Sequence, residues 1–221
     1  MATEEPTANG IESLYPFLYA GHADLEAVLE EVRRSTVEKA HEIVALRDAV
    51  LRSDEERLGA CATAMAQRLE RGGRLFAFGN GGSSTDAQDV ASLFLHPPAG
   101  ARPLPAFCLT DDVAVVTALS NDIGFEVVFA RQLAAFAGRA DIAIGLSTSG
   151  NSENLVQAFG EAGRRGLLTV GLAGYEGGKM AEIDTIDYLF VVPSSSVHRI
   201  QEAQTTLCHV LWELTQARLT G

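Results

Sequence analysis

Long apolar runs are absent from this sequence of 221 residues. No stretch approaches the roughly 20 consecutive apolar residues that a membrane-spanning helix needs. The first ten residues, MATEEPTANG, are acidic and polar, and they lack the basic patch and apolar segment of a secretion signal. The sequence therefore predicts neither membrane insertion nor secretion, and it favours a cytoplasmic protein.

Positive charge is also scarce, because 17 lysine and arginine residues stand against 29 aspartate and glutamate residues. The resulting net charge of -12 repels phosphate backbones and anionic membranes at long range. We therefore expect no nucleic-acid partner and no membrane partner. Any small anion that the protein binds must be held by local groups.

Cysteine is rare as well, with three residues, Cys61, Cys108 and Cys208, and no CxxC spacing. An odd number of cysteines without that spacing is typical of free thiols in a reducing compartment. Cys108 and Cys208 lie in apolar runs, which predicts that their thiols are buried.

The N-terminal third of the chain predicts a flexible tail over residues 1–10 and helices over residues 11–72. A first helix is expected to begin at Asp24, and a second one at the capping box of Ser53 and Glu56. Two interpretations stay open, a helical layer that covers a sheet and an oligomerisation arm. Apolar residues recur on one face of each helix: Leu25, Val28, Leu29 and Val32 in the first, and Leu58, Cys61, Met65 and Leu69 in the second.

From Arg74 onward, short apolar runs alternate with helical patterns. The runs are apolar throughout rather than alternating, which is typical of parallel strands covered on both faces. The order predicts a three-layer α/β/α sandwich with a five-stranded parallel sheet over residues 73–221. The five predicted strands are RLFAFG, LPAFCLT, DIAIGLS, LLTVGLA and DYLFVVP, and a last helix is expected from about Ser196 to the C-terminus.

Two loops follow predicted strands at the sheet edge where such folds bind ligands. GNGGSSTDA comes after the first strand and GLSTSGNSENL after the third. The second loop has more hydroxyl groups than one helix cap requires, so it predicts a phosphate held by hydroxyl and backbone N–H donors at a helix N-terminus. Neither loop matches GxGxxG or GxxxxGK[ST], which disfavours a nucleotide-binding Rossmann protein.

Several motifs together resemble one known family. FGNGGSSTDA, LSNDIGFEVVFARQL, ADIAIGLSTSGNS, GLAGYEGGKMA and VHRIQEAQTTLCHVLWEL are similar, in order and spacing, to the SIS (sugar isomerase) domain family and its phosphoheptose isomerase branch. The resemblance covers about residues 40–217. It implies a flavodoxin-like SIS fold and a homotetramer that interconverts sedoheptulose 7-phosphate and a heptose 7-phosphate at sites formed between subunits.

The resemblance also implies roles for individual residues. Gln201 matches a metal or substrate ligand, and His209 matches the catalytic histidine. The substrate and phosphate contacts of the family match Asn80, Gly81, Gly82 and Ser83 in the first loop, Asn121 and Asp122 further on, and Ser147, Thr148, Ser149 and Ser152 in the hydroxyl-rich loop.

The sequence departs from the family pattern where the isomerases carry a histidine ligand and, four residues later, a glutamate that serves as base and ligand. Asp89 and Leu93 stand there, and His198 stands where the family often has an acidic residue. A leucine can neither accept a proton nor bind zinc. Zinc would rest on Asp89, Gln201 and His209, so we expect weak or absent zinc and no other cofactor.

Two functions therefore compete. In the first, the chain is a phosphosugar isomerase in which His209 remains and either Asp89 or Glu202 supplies the missing base. In the second, it is a non-catalytic phosphosugar-binding scaffold that resembles the DnaA initiator-associating protein. Each candidate also has an ordinary structural interpretation: Asp89 as a solvated helix residue, Glu202 as a surface ion-pair residue, and His209 as a core or interface histidine.

Overall fold

The computed structural model of the protein describes residues 25–220. The predicted tail over residues 1–10 and the predicted helix start at Asp24 lie outside the described residues. Contacts divide the chain into two compact units, one that ends at Val44 and one that begins at Ala45. The domain boundaries predicted at residues 10 and 72 stay predictions.

One continuous helix, α1, extends from Leu25 to Glu70, so the predicted division into two helices near Ser53 is wrong. No glycine or proline interrupts the sequence between Leu25 and Leu58. The Ser53 hydroxyl donates to the Val50 carbonyl at 3.0 Å, one turn back in the same helix. The predicted capping serine therefore serves as an ordinary helix-interior residue.

The C-terminal part of α1 belongs to the second unit and packs inside it, as its apolar stripe predicts. Leu58, Cys61, Met65 and Leu69 are all buried. Arg57 Nη2 donates to the Leu189 carbonyl at 2.9 Å, and its guanidinium carbon lies 5.5 Å from the centre of the Phe190 ring.

Strands and helices alternate after α1. The strands are β1 (Leu75–Gly79), β2 (Ala106–Cys108), β3 (Ile142–Leu146), β4 (Leu168–Gly174) and β5 (Tyr188–Val192). The α-helices are α2 (Gly82–Leu95), α3 (Val113–Asp122), α4 (Val128–Phe136), α5 (Glu153–Arg165) and α6 (Val197–Thr220), with 3-10 turns at Phe125–Val127 and Gly178–Ala181.

The five strands form one parallel sheet in the order β2-β1-β3-β4-β5, with Phe78 opposite Gly145 where β1 pairs with β3. This is the flavodoxin-like order, in which the chain crosses to the other side of β1 after β2. β1, β3 and β4 are buried along their whole length, as their continuous apolar sequences predict. The predicted five-stranded parallel α/β fold is confirmed.

Helices cover both faces of the sheet. On one face α4 packs against α5, and Phe129 and Phe159 place their ring centres 5.3 and 5.5 Å from that of Phe78. A second pair of helices is formed by α2 and α6, and α2 also packs against β1. No helix within residues 25–220 is both long enough and apolar enough to cross a bilayer.

Candidate functional site

The carboxyl ends of β1 and β3 lie side by side, because these two strands are neighbours in the sheet. β1 pairs with β2 on its other side, so the strand order reverses at this point. Open α/β sheets bind ligands in the crevice at such a reversal. The glycine-rich loop after β1 and the hydroxyl-rich loop after β3 therefore lie next to each other, as the sequence predicts.

The hydroxyl-rich loop is fixed by its own side chains. Ser147 Oγ accepts from the Gly150 N–H at 3.0 Å, and Ser149 Oγ accepts from the Asn151 N–H at 3.2 Å. Ser152 is the N-cap residue of α5, and among the described residues its side chain finds no capping bond. The Leu155 N–H donates to the Ser152 carbonyl at 3.1 Å. The Ser152 hydroxyl and the two N–H groups before Leu155 can therefore serve as donors to an anion.

The loop after β4 packs against the hydroxyl-rich loop and is hydrogen-bonded to it. Gly150 has a φ of +66°, and a Cβ there would lie 1.9 Å from the Gly177 carbonyl oxygen, so this position requires glycine. Asn151 Oδ1 accepts from the Lys179 N–H at 3.0 Å. Lys179 Nζ lies 3.1 Å from the Glu153 carboxylate in the first turn of α5.

The Lys179 side chain places a positive charge beside the hydroxyl-rich loop, which contains no lysine or arginine. Hydrogen bonds from Gln157 and then Lys179 lower the pKa of Glu153. Lys179 therefore offsets an acidic group at the helix terminus where an anion would bind. Sequence reasoning missed this residue, although it follows the glycine pair of the quoted motif GLAGYEGGKMA.

We expect Ser149→Val to weaken phosphosugar binding by about 1 to 3 kcal/mol, because it removes a hydroxyl donor and crowds the loop. Isothermal calorimetry with a sugar phosphate that the parent protein binds measures the change. Ser53→Val is the matched control, since that hydroxyl bonds within α1 and to Asp54. If Ser149→Val binds the sugar phosphate as tightly as the parent protein does, the phosphate does not bind at this loop.

The loop after β1 is tied to the start of α5 by a reciprocal amide pair. Asn80 Nδ2 donates to Asn154 Oδ1, and Asn154 Nδ2 donates to Asn80 Oδ1, both at 2.9 Å. Gly81 takes the N-cap position of α2 with a φ of 55°, and the Ser83 N–H donates to the Asn80 carbonyl at 3.0 Å. Asn154, which joins the two predicted loops, is a further residue that sequence reasoning missed.

One small cavity between α2 and α6 brings the predicted catalytic positions together. Asp89, Leu93 and His209 all line it. Asp86 lines it too, one turn before Asp89, and its carboxylate accepts from Gln201 Nε2 at 3.1 Å. The remaining lining residues are Val90, Thr205 and Cys208.

The two aspartates of this cavity differ in burial, since Asp86 is partly buried and Asp89 is exposed. Burial, more than any other cause, raises the pKa of Asp86; the Gln201 hydrogen bond acts in the opposite direction, and the charge of Asp89 adds to the rise. Asp89 and His209 are exposed. Burial raises the pKa of Cys208 to about 12, so its thiol stays protonated and supplies no thiolate nucleophile or ligand.

The donors in the cavity do not fit a tight zinc site. Leu93 fills the position where the resemblance implies a carboxylate ligand. Gln201, beside the cavity, offers a neutral amide that is already bonded to Asp86. Structural and catalytic zinc sites use three or four His, Cys or carboxylate ligands. Within residues 25–220, no group of three or more such side chains is arranged to hold a metal ion.

Three other predicted site residues, and His198 where the sequence departs from the family, are not among the residues that line the cavity. Glu202 is exposed, 3.7 Å from the Arg199 guanidinium. Asn121 and Asp122 are exposed at the end of α3, where Asn121 Nδ2 donates to Asp122 Oδ1 at 2.8 Å. His198 is exposed in the first turn of α6. Among the described residues that line this cavity, none of these four appears.

A larger open cavity, about 780 Å³, adjoins the hydroxyl-rich loop. Ser149 and Asn151 form one wall, and the loops after β4 and β5 form the others. Tyr175 has a φ of 52°, the left-handed conformation that non-glycine residues seldom adopt. The residues from these two loops, missed by sequence reasoning, are Tyr175, Glu176, Gly178, Pro193, Ser194 and Ser195.

Comparisons with known proteins identify the family to which this fold belongs. The SIS domain model matches residues 40–174. The phosphoheptose isomerase of Aquifex aeolicus is 42% identical over 190 residues, which cover 86% of this chain and 96% of that protein.

Solved structures of the same enzyme share the fold. Phosphoheptose isomerase GmhA from Neisseria gonorrhoeae matches with a TM-score of 0.77 and 32% identity, over 84% of this chain and 99% of that one. A phosphoheptose isomerase from Francisella tularensis matches with a TM-score of 0.70 and 32% identity, over 89% and 100%. These likenesses confirm the resemblance inferred from the sequence. The chain therefore belongs to the SIS domain family, in the branch of the phosphoheptose isomerases.

Proposed function

We propose that this protein is a phosphosugar isomerase that interconverts a ketose phosphate and an aldose phosphate, with sedoheptulose 7-phosphate as its candidate substrate. One observation carries the proposal: a single turn of α6 touches both ligand loops. Gln201 lies against Gly82, where the GNGGSSTDA segment enters α2, and Gln204 Nε2 donates to the Ser147 carbonyl at 3.0 Å. His209, further along α6, then faces the cavity with Asp89.

The phosphate group is held by the loop after β3. Hydroxyl groups and backbone N–H groups at the N-terminus of α5 donate hydrogen bonds to its oxygens, and the helix dipole favours the negative charge. Lys179 balances the nearby carboxylate of Glu153. The net charge of -12 makes this local arrangement necessary, because the protein as a whole repels anions.

Isomerisation moves one proton between neighbouring carbons. A base removes a proton from carbon 1 of the ketose while an acid donates a proton to the carbonyl oxygen, which gives an enediol. The base then returns a proton to carbon 2, and the acid regains one from the hydroxyl of carbon 1. His209 serves as the acid, and Asp89 as the base, since Asp89 lines the cavity with His209 and Glu202 does not.

The catalytic site proposed here is altered relative to the family, because Leu93 supplies no carboxylate. We therefore also propose that the enzyme works with little bound zinc. The support is the donor chemistry of the cavity and of Gln201 beside it, because Asp89, Gln201 and His209 are too few and too weak for tight binding.

Leu93 also favours a second candidate function, a phosphosugar-binding scaffold without turnover, because it cannot serve as a base. In that case the two ligand loops would still bind the sugar phosphate, but His209 would lack a working base. Assay of the purified protein with a panel of ketose and aldose phosphates, heptoses first, separates the two. Turnover supports the isomerase, and binding without turnover supports the scaffold.

Exposed apolar side chains support a homo-oligomer, which we propose to be a tetramer. Leu29 and Val32 on α1 are 59% and 56% exposed, and Phe107 and Phe136 are 49% and 58% exposed beside a largely apolar cavity of about 610 Å³. Such surface on a single chain is typical of contacts between copies.

We expect the protein to be a tetramer by light scattering at micromolar concentration, and Leu29→Glu to shift it towards smaller species. A charge placed in an apolar interface loses its hydration without gaining a partner. His41→Glu is the control, because His41 is exposed and lies about 120° around α1 from Leu29. A monomeric parent protein would contradict the proposal.

A further inference from the structure

The side-chain amide of Gln201 is held on two sides. On one side it lies against Gly82, where an added Cβ would come within 2.4 Å of Nε2 and 3.2 Å of the amide carbon. On the other side Nε2 donates to Asp86 Oδ2 at 3.1 Å. Gln201 and Asp86 are 115 residues apart in the sequence and belong to α6 and α2.

These contacts decide which end of the amide faces the carboxylate. An ionised carboxylate accepts hydrogen bonds and donates none, so Asp86 attracts Nε2 and repels Oε1. Rotation of the amide by 180° would place two oxygens against each other. Gly82 leaves room for the amide that a larger residue would occupy, and the hydrogen bond to Asp86 favours the observed orientation.

We propose that Asp86 is a positioning residue that fixes the amide of Gln201, so that Gln201 Oε1 is presented as the acceptor for a sugar hydroxyl. The inference rests on the proposed function, because it concerns the same ligand. It adds a residue to the site and sets the polarity of the contact that Gln201 makes.

The surroundings of Asp86 argue against a purely structural pair. Asp86 is partly buried beside the charge of Asp89, and both line the cavity with His209. A carboxylate in that position is costly, and an apolar residue would pack there at lower cost. A similar pair occurs on the other side of α2, where Gln88 Nε2 donates to Asp111 Oδ1 at 3.0 Å, but both side chains are exposed.

The test compares four single variants and one double variant by steady-state kinetics with sedoheptulose 7-phosphate. Asp86→Leu removes the acceptor and should raise KM about tenfold, with kcat changed less than about threefold. Asp86→Asn keeps an acceptor oxygen and should restore KM to within about twofold of the parent value. Asp111→Leu breaks the matched pair and should change neither constant.

The fourth variant, Gln201→Ala, tests whether Asp86 acts through Gln201. In that background Asp86→Leu should change KM less than about twofold, since effects that pass through a shared partner are not additive. Additive effects would overturn the inference. So would a large loss of kcat in Asp86→Asn, which would make Asp86 the base itself.

Failure of the inference can be told apart from failure of the proposed function. If the parent protein binds sedoheptulose 7-phosphate without converting it, the isomerase proposal is wrong, and the same variants compared by calorimetric Kd should show the same pattern. If the parent protein is active and Asp86→Leu has parental KM, the positioning role is wrong. A parent protein that neither binds nor converts this sugar overturns both.

Discussion

His209→Ala is expected to lower kcat for phosphosugar isomerisation by about 10²- to 10⁴-fold, the usual contribution of a positioned acid or base. His209 lines the cavity with Asp89, and it supplies the imidazole that donates a proton to the carbonyl oxygen in the proposed mechanism. Its side chain is exposed, so its removal should leave folding and sugar-phosphate affinity nearly unchanged.

Three measurements check this prediction: kcat, calorimetric affinity for the sugar phosphate, and light-scattering mass. His41→Ala is the matched control, since His41 is also exposed but lies on α1. Full activity in His209→Ala would show that the catalytic centre lies elsewhere. Loss of activity together with loss of the oligomer would point to an interface histidine instead.

Leu93→Glu is expected to raise the zinc content of the purified protein from well below one ion per chain towards one. Leu93 lines the cavity with Asp89 and His209, so a carboxylate there completes a donor set with Gln201. Loss of a group that only orients a ligand already costs about 10- to 100-fold in metal affinity, so a new direct ligand should gain at least that much. Mass spectrometry of the metal after dialysis against zinc measures it.

Turnover by the same variant separates the two proposed functions. An inactive parent protein that gains activity through Leu93→Glu would support the scaffold. An active parent protein that resists chelators, and whose rate the change does not increase, would support a relocated base. Leu93→Gln, which has nearly the same size but no charge, is the control for packing. Stoichiometric zinc in the parent protein would contradict our account of the cavity.

The sheet and the positions of the two loops after β1 and β3 could be predicted from the sequence because their signals are local. β1, β3 and β4 are buried on both faces, so their sequences are continuous apolar runs. Hydroxyl groups crowd the loop after β3 beyond the needs of one cap, and this excess marks it as a candidate anion site. Parallel topology then brings the ends of β1 and β3 together without any further information.

The contacts that shape the site could not be predicted, because they join distant parts of the chain. Asn80 pairs with Asn154 across 74 residues, and Gln201 with Asp86 across 115. The repeats of helices and strands extend over a few residues, so they give no signal for contacts between residues this far apart in the sequence. The error in α1 has the opposite origin: the spacing of Ser53 and Glu56 is a local signal for a cap, but nothing in the sequence breaks the helix there.

The central claim is that the carboxylate and the imidazole of this cavity move a proton through an enediol. Proton NMR of sedoheptulose 7-phosphate incubated with the protein in D₂O, with chelator present, tests it most directly. The account predicts an aldose phosphate product that carries solvent deuterium at carbon 2, and no such product with His209→Ala. Tight calorimetric binding of the same sugar, with neither product nor deuterium incorporation after prolonged incubation, would contradict it.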